Sequence, residues 1–275
     1  YKRQGLYGEF NITDSLFDTI DADNGAGGAI YADTYTDITI DNTEFTDTSS
    51  YSSGGAIYQY YYGELAITDS TFDNGDTTAG YGGAIYNYNY GGYDATEISG
   101  STFTDNTASY HGGALYLQSV KEIRIEDNSF ENNQASGSYD GGAIYMYSTE
   151  SAEVRGNTFC LNSAESGGAV FTYYVWGSTD EWTNNVFIEN ESTYGAGIYL
   201  SSHYDNQLIN NTFVGNDASQ QGGALYATTG YTTFTNNIVA HTQDGDGVYT
   251  GHSASASYST FEYNDWYDNS GSDSG

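Results

Sequence analysis

Acidic side chains are the most abundant candidates for chemistry in this chain, which has 275 residues and carries 37 Asp and Glu against 5 Lys and Arg. Asp21 with Asp23, and Asp244 with Asp246, lie beside glycine-rich turns. Clustered carboxylates and carbonyls in such loops are the oxygen ligands that Ca²⁺ prefers. None of these loops matches an EF-hand or a calcium-binding nonapeptide repeat. The four aspartates therefore predict weak Ca²⁺ binding, as part of a distributed cation atmosphere, and no other cofactor is expected.

Residues that could act as catalytic bases or nucleophiles are few. Arg124 and Glu153 occupy the same column of adjacent repeats, and so do Glu126 and Arg155, which predicts two surface ion pairs and no free base. Glycoside hydrolysis needs a fixed pair of carboxylates, and no local pair stands out. Cys160 has no matching His, so a thiol nucleophile is not supported. We predict no catalytic residues, and a polysaccharide lyase or hydrolase is the least favoured reading.

Tyrosine supplies the most regular candidate for a binding surface. One Tyr or Phe recurs once per repeat, directly after an aliphatic residue, and alternation along a strand would point it outward, together with residues such as Ala29. This tyrosine file is predicted to bind another copy or sugar rings. Its members are Tyr31, Tyr58, Tyr86, Tyr116, Tyr145, Phe171, Tyr199, Tyr226 and Tyr249.

In most repeats a second set of tyrosines follows the tyrosine file. The alternative role for both sets is aromatic stacking between neighbouring repeats, which would stiffen the solenoid. The second set consists of Tyr35, Tyr60, Tyr61, Tyr62, Tyr88, Tyr90, Tyr93, Tyr147, Tyr173, Tyr174, Tyr204 and Tyr231.

The overall charge limits the classes of partner. A formal net charge of −32 makes nucleic acid and anionic membrane surfaces poor partners. No apolar run is long enough to span a bilayer, so we expect no membrane insertion by this segment. A single Cys excludes an internal disulfide, and 16% aromatic residues indicate an ordered chain rather than a disordered one.

The elements that position these residues are set by an internal repeat. A phrase of the form GGA(I/L/V)Y recurs every 23 to 30 residues, and its nine copies begin at residues 27, 54, 82, 112, 141, 167, 195, 222 and 245. Three copies are degraded: GGAVF at 167, GAGIY at 195 and GDGVY at 245. A period of this length indicates stacked units of a solenoid. The aliphatic residue of each phrase forms one predicted core column: Ile30, Ile57, Ile85, Leu115, Ile144, Val170, Ile198, Leu225 and Val248.

A second core column lies between the glycine phrases, at the end of an alternating strand pattern. It consists of Phe17, Phe45, Phe72, Phe103, Phe130, Phe159, Phe187 and Phe213, continues at Ile238 and closes with Phe261. Five residues before most of these lies another apolar column: Ile12, Ile40, Ile67, Ile98, Ile125, Val154, Trp182 and Leu208. The sequence patterns therefore predict two strands in each repeat, joined by a tyrosine-rich turn and a polar turn.

Asparagine occurs three residues after many of the phenylalanines, and stacked Asn side chains can bond to each other and to turn amides. We expect one structural ladder made of Asn106, Asn133, Asn162, Asn190, Asn216 and Asn264.

The alternation of GGA(I/L/V) with FxxN resembles the repeats of the chlamydial polymorphic outer membrane proteins, and of bacterial right-handed parallel β-helix surface proteins more widely. The second phrase appears as FTDN, FENN, FCLN, FIEN, FVGN and FEYN, starting at Phe103, Phe130, Phe159, Phe187, Phe213 and Phe261. The resemblance implies a secreted or surface-exposed β-helix with an adhesive role.

These patterns together predict an all-β chain, a right-handed parallel β-helix of 9–10 rungs that forms a single domain over residues 1–275 and ends in an acidic tail at 265–275. We expect a segment of a longer chain or a subunit that stacks end to end. The predicted function is an extracellular structural solenoid, a stalk or filament subunit, that associates with itself through its tyrosines or its ends. A cell-surface adhesin that binds glycans is the alternative.

Overall fold

The structure is a computed structural model that describes residues 8–90, 94–177, 179–201, 205–228, 230–243, 245–251 and 259–269. Over these ranges the chain is all-β, with parallel pairing between every two neighbouring strands. Each turn of the coil, here called a rung, lies on the next. The predicted parallel β-solenoid of about nine rungs is confirmed.

Sheet 1 contains the strands of the glycine phrases, each of which begins at the aliphatic core residue. Its nine strands are Ile30–Asp33, Ile57–Tyr61, Ile85–Asn89, Leu115–Gln118, Ile144–Tyr147, Val170–Tyr173, Ile198–Ser201, Leu225–Ala227 and Val248–Thr250.

Sheet 2 contains the next strand of each rung and includes the apolar column five residues before the phenylalanines. Its ten strands are Gly8–Thr13, Thr36–Asp41, Leu65–Thr68, Ala95–Ser99, Glu122–Glu126, Ser151–Arg155, Asp180–Thr183, Asp205–Ile209, Tyr231–Thr235 and Thr260–Glu262.

Sheet 3 contains the phenylalanine strands and, in several rungs, a short strand that follows them. Its strands are Leu16–Ala22, Glu44–Ser50, Thr71–Asp73, Asp76–Thr77, Thr102–Thr104, Thr107–Ala108, Ser129–Glu131, Gln134–Ala135, Thr158–Cys160, Val186–Ile188, Thr212–Val214, Ile238–Ala240 and Asp265–Tyr267. A separate pair is formed by Glu191–Tyr194 and Asp217–Gln221.

Each repeat thus has three main strands where the sequence patterns predicted two. The run between the apolar column and Phe is broken by a residue at positive φ, three positions before each Phe, as at Asp69 (φ 47°) and Asp127 (φ 55°). A second break follows two positions after Phe, as at Asn74 and Asn132. Asp, Asn and Gly enter this left-handed region most easily, so they fill most of these positions and turn the chain into the next sheet.

The core columns are confirmed with one correction near the C-terminal end. Phe72, Phe103 and Phe130 lie in register and are at most 1% exposed. Ile238, however, faces outward and is 44% exposed, because Val239 and then Trp266 continue the phenylalanine column. Phe261 belongs to sheet 2, where it pairs with Phe234.

The predicted acidic tail needs the same kind of correction. Asp265–Tyr267 forms the last described strand of sheet 3 and packs Trp266 against the core. The solenoid therefore extends at least to Tyr267, and residues 270–275 lie outside the described part.

The glycine pair allows each rung to bend where sheet 1 begins. Gly54 has φ 68°, and a Cβ on Gly55 would lie 2.0 Å from the carbonyl oxygen of Gly83 on the next rung. Only glycine permits this approach. The bend also turns the following alanine inward: Ala84 is 0% exposed, so the expectation that the alanines of the phrase, Ala29 among them, point outward is wrong.

Two asparagine ladders flank the phenylalanine strands, where the sequence patterns predicted one. In the predicted ladder, Asn162 Nδ2 donates to Asn190 Oδ1 (3.0 Å) and to the carbonyl of Phe130 (3.0 Å). A second ladder lies two residues before each Phe and runs through Asn128, Asn157, Asn185, Asn211, Asn237 and Asn264. Asn264 therefore belongs to this second ladder and not to the first.

Candidate functional site

The tyrosine file occupies the outer face of sheet 1, where each ring follows an aliphatic core residue. Its rings stack along the rod with centroids 4.6–5.2 Å apart. Most neighbouring rings are nearly parallel, as between Tyr86 and Tyr116, whose planes differ by 5°. In this arrangement the ring faces contact other rings, and only edges and hydroxyls face outward.

Burial along the file differs from the expected continuous surface. Tyr31 is 61% exposed, whereas Tyr116, Tyr145 and Phe171 are only 7–8% exposed and form a second apolar cluster outside the core. Tyr58, Tyr86, Tyr199, Tyr226 and Tyr249 are half-buried. The middle of the file is therefore buried within the chain, and the expectation that Tyr116 and Tyr145 are exposed is wrong.

A loop cover explains the buried middle of the file. On rungs 3 to 5 the segment before the glycine phrase folds over sheet 1. It places Tyr81 4.7 Å from Tyr116 and His111 4.4 Å from Tyr145, measured between ring centroids. Tyr139 contacts His111 edge to face, with centroids 5.1 Å apart. The repeat pattern does not predict this cover, although tyrosines one or two residues before the glycine pairs of rungs 3 to 5 are a sign of it in the sequence.

Burial shifts the pKa values of several groups in and beside the tyrosine file. It raises the pKa of Tyr58 to about 12, with a further contribution from the charge of Tyr31, and it also raises the pKa of Tyr116. It lowers the pKa of His111 to about 4, so this imidazole is neutral at pH 7.

His111 links two rungs of the cover. Its Nδ1 accepts the backbone N–H of Asp140 (3.0 Å) and lies 3.4 Å from Asp140 Oδ2. Burial raises the pKa of Asp140 to about 6, and the charge of Glu165 raises it further while hydrogen bonds from Ser166 oppose the shift. A neutral His beside a partly buried carboxylate makes this a structural contact that is sensitive to acid.

A second aromatic cluster, here called the turn patch, lies where sheet 1 passes into sheet 2 on the first three rungs. It comprises Tyr35, Tyr60, Tyr61, Tyr62, Tyr88 and Tyr90. Tyr90 is 53% exposed, and Tyr60 meets Tyr61 edge to face at 4.5 Å. Most of these rings are tilted or perpendicular to each other, in contrast to the parallel file.

Backbone strain is concentrated at the same turns. Equivalent positions at or just after the end of the sheet 1 strands have positive φ on four rungs: Tyr61 (φ 85°), Ser119 (φ 56°), Ser148 (φ 55°) and Tyr174 (φ 59°). A bulky residue at positive φ costs about 1–2 kcal/mol. Serine suffices on rungs 4 and 5, so the tyrosines on rungs 2 and 6 have no backbone reason to be there.

The predicted ion pairs are present on the outer face of sheet 2. Arg124 contacts Glu97 (2.7 Å) and Glu153 (3.6 Å), and Arg155 contacts Glu126 (2.7 Å) and Glu153 (2.7 Å). The two arginines are about half exposed and their glutamate partners are 27–53% exposed, so each pair contributes little stability. Both arginines are engaged by carboxylates, as the repeat columns indicated.

Three of the four aspartates predicted to bind Ca²⁺ weakly lie within the described residues. Asp21 and Asp23 lie at the first rung, where the hydrogen bond between the two carboxyl groups and then the charge of Asp21 raise the pKa of Asp23. Asp246 lies at the ninth rung, and Asp244 falls outside the described residues. Within the described ranges no group of three or more His, Cys, Asp or Glu could hold a metal ion.

Comparison with known families bears on the fold. The family described as a right-handed beta helix region matches residues 7–187 of the chain. The chain belongs to this family. Membership of this family indicates that the coil is right-handed. The match supports a β-helix repeat in general and does not show the specific resemblance to the chlamydial proteins.

No curated protein and no solved structure matches this β-helix chain. A search of its described residues for helices long and apolar enough to cross a membrane found none.

Proposed function

We propose that this β-helix is an extracellular structural solenoid, a stalk or filament subunit, whose copies associate through the turn patch. The observation that carries the proposal is the positive φ of Tyr61. At the equivalent position of rungs 4 and 5 a serine adopts positive φ, so the backbone does not require an aromatic ring there. Residues held in costly conformations cluster at functional sites, and aromatic rings with hydroxyls are favoured at protein contacts.

The proposal moves the contact away from the middle of the tyrosine file. Tyr116 and Tyr145 are covered within the chain, so they cannot form a surface without opening the loop cover. The net charge of −32 opposes association between copies, so contact is expected at an uncharged aromatic surface and in screening salt. Association through the ends of the rod stays a prediction from the sequence.

The test compares two kinds of tyrosine substitution. Tyr61→Asn combined with Tyr90→Ser should abolish association in sedimentation velocity and remove filaments in electron micrographs. The melting temperature should change little, because asparagine relieves the positive φ at position 61 while ring contacts are lost. Unchanged association would refute the turn patch as the interface.

Tyr116→Ser is the matched control in the buried file. Removing this ring should lower the free energy of unfolding by about 3 kcal/mol, in the range for large buried side chains, and leave association intact. If Tyr116→Ser instead abolishes association at a temperature where the protein stays folded, the file and not the turn patch is the contact.

A surface adhesin that binds glycans through the same patch is the second candidate. Sugars stack on the faces of aromatic rings, and the parallel file hides its ring faces, whereas the tilted rings of the turn patch do not stack in a continuous file. A glycan array separates the two candidates. Saturable binding by monomers, lost in the Tyr61→Asn and Tyr90→Ser variant, supports the adhesin.

Neither candidate includes a catalytic step. Arg124 and Arg155 are paired with carboxylates, which leaves the lyase alternative without a base at either position. Loss of viscosity or release of unsaturated sugars from a panel of polysaccharides would overturn this part of the proposal.

A further inference from the structure

The connection between sheet 1 and sheet 2 is longer on rung 6 than on its two neighbours. Glu181 follows Tyr173 by eight positions, whereas the equivalent residues of rungs 5 and 7 are six positions apart, as Glu153 is from Tyr147. Because both sheets keep their register here, the two extra residues are accommodated within the connection, where they add side chains that the neighbouring rungs lack.

This connection exposes three large aromatic side chains, here called the rung 6 platform. Tyr173 is 42% exposed, Tyr174 is 55% exposed and Trp176 is 44% exposed. Val175, between the last two, is only 6% exposed and anchors the connection against the body of the solenoid. Neither Tyr174 nor Trp176 stacks on another ring of the described chain, so their ring faces are not covered by other aromatic groups as those of the file are.

Contacts with rung 5 fix the position of Trp176. Its indole Nε1 donates to the carbonyl of Ser148 (3.1 Å), and its backbone N–H donates to the carbonyl of Thr149 (3.0 Å). Gly177 continues this contact, since a Cβ there would lie 1.7 Å from the carbonyl oxygen of Glu150. An aromatic ring that is already fixed loses little conformational entropy when a ligand binds, so the platform is preorganised.

The size of the rung 6 platform favours a small ligand over a protein. A fully buried Tyr or Trp covers about 200 Å², so three rings that are about half exposed offer about 300 Å². A stable protein interface buries about 800 Å² on each partner. A sugar chain needs less area, because each pyranose ring packs on one aromatic ring, whose electron-rich face attracts the C–H groups of the sugar.

Charge restricts the kind of sugar. Glu150 lies against the connection and makes no ion pair or side-chain hydrogen bond within the described chain. Its carboxylate can accept hydrogen bonds from sugar hydroxyls. The described basic side chains, Lys121, Arg124 and Arg155, are each engaged with glutamates. An anionic sugar would therefore be repelled by this platform and by the net charge of −32.

We propose that the rung 6 platform binds an uncharged oligosaccharide, with pyranose rings stacked on Tyr174 and Trp176 and sugar hydroxyls donating to Glu150. Tyr174 has φ 59°, and residues in costly conformations of this kind cluster at functional sites. The site is separate from the turn patch, which lies on the first three rungs, and it does not depend on association between copies.

The test is titration of the intact chain with cellohexaose and with chitohexaose, followed by tryptophan fluorescence and by calorimetry. Trp182 is fully buried and Trp266 packs against the core, so a change in emission reports on Trp176. We expect saturable binding of at least one of these uncharged sugars. Hexagalacturonate, which is anionic, should bind more weakly by about fivefold or more at low salt.

Two substitutions separate ring stacking from a general effect on the fold. Trp176→Ala should weaken binding about tenfold and Tyr174→Asn about threefold, since each removes one stacking contact. Asparagine tolerates the positive φ at position 174, and circular dichroism would check that both variants fold. The control is Tyr267→Ser, which removes a 63% exposed ring from sheet 3 and should change the affinity less than about twofold.

Several results would overturn the proposal. Absence of saturable binding by both uncharged sugars would assign the rung 6 platform to a protein partner instead. Equal affinity for hexagalacturonate, or equal losses in Trp176→Ala and Tyr267→Ser, would show that the contact is nonspecific. Loss of binding in the Tyr61→Asn and Tyr90→Ser variant, but not in Trp176→Ala, would place the sugar site at the turn patch.

Discussion

Positive φ angles at single residues decide where this chain turns. Most of the turn positions beside the phenylalanine strands hold Asp, Asn or Gly, but Leu161 (φ 58°) is a bulky exception and is 45% exposed. Leucine gains little from burial there and still incurs the steric cost of the left-handed region. This position is therefore a place where one residue lowers stability without supporting a neighbour.

Leu161→Asn should stabilise the protein by about 1 kcal/mol, because asparagine tolerates the left-handed backbone. Urea denaturation followed by circular dichroism would measure the change. Leu161→Ala is the control, since alanine removes the side chain but keeps the unfavourable Cβ, and it should give no gain. Equal stabilisation by both substitutions would show that exposure of leucine, and not φ, was the cause.

The contact between His111 and Asp140 predicts opposing pH effects at the residue scale. The pKa of His111 is lowered to about 4 in the folded state, so the unfolded chain takes up its proton first and stability is lost as pH falls below about 6.5. The pKa of Asp140 is raised to about 6, so the folded state takes up its proton first and stability is gained as pH falls below 6.

Single substitutions should separate these two slopes. Relative to wild type, His111→Gln should gain stability between pH 7 and pH 4.5, because only the Asp140 effect remains. Asp140→Asn should lose stability over the same interval, because only the His111 effect remains. Thermal melts at both pH values would measure this, and parallel behaviour of the two variants would contradict the assigned pKa directions.

The elements of each rung are kept in register by ladders on both sides of the phenylalanine strand. In the interior of the solenoid, Asn side chains form hydrogen bonds to the next rung. On its surface, Asp and Asn alternate along one column of turn residues: Asp47, Asn74, Asp105 and Asn132. Asn74 Nδ2 donates to Asp47 Oδ1 (2.5 Å), and Asn132 donates to Asp105. The alternation keeps carboxylates from facing one another at one-rung spacing.

Asn74→Asp would place a third carboxylate between Asp47 and Asp105, and should destabilise the fold by about 1 kcal/mol at low salt through like-charge contacts. Burial and these same neighbours already raise the pKa of the adjacent Asp73. Denaturation at low and high NaCl would test this, since screening should shrink the loss.

Asn132→Asp is the matched control because its column neighbours are Asp105 and Leu161, only one of which is acidic. Its loss should be smaller. A loss that is equal for both variants and independent of salt would mean that the lost amide hydrogen bonds, and not charge repulsion, set the cost.

The described basic side chains of the whole molecule are concentrated at sheet 2, where glutamates surround them. The turn columns carry acids without such basic neighbours. In a solenoid each rung touches only its neighbours, so repulsion along an acidic column accumulates over many rungs. Salt is therefore expected to stabilise the rod as a whole.

Raising NaCl from about 0.05 M to about 1 M should raise the melting temperature, since the Debye length falls below the distance between neighbouring rungs. CaCl₂ and MgCl₂ at equal ionic strength should stabilise to the same extent, because no group of three or more His, Cys, Asp or Glu among the described residues could hold a metal ion. A saturable shift with Ca²⁺ alone, reversed by a chelator, would restore the specific Ca²⁺ site.

The repeat made most of the fold predictable from the sequence. A fixed period stacks like residues, so the aliphatic and phenylalanine columns, one asparagine ladder and the ion pairs of Arg124 and Arg155 could be read directly. The second ladder and the break before each Phe were readable in principle, because Asn, Asp and Gly recur there, but alternation across the break looked like one strand.

Alternation along a strand by itself determined which side chains of sheet 1 leave the core, because successive residues of a strand face opposite sides. Only the tertiary structure decided which of these stay in solvent. Tyr31 and Tyr116 have the same place in the repeat, yet a loop covers Tyr116 and leaves Tyr31 open. The loops between rungs differ in length and in amino-acid sequence. Their contacts depend on tertiary packing, which the repeat period does not predict.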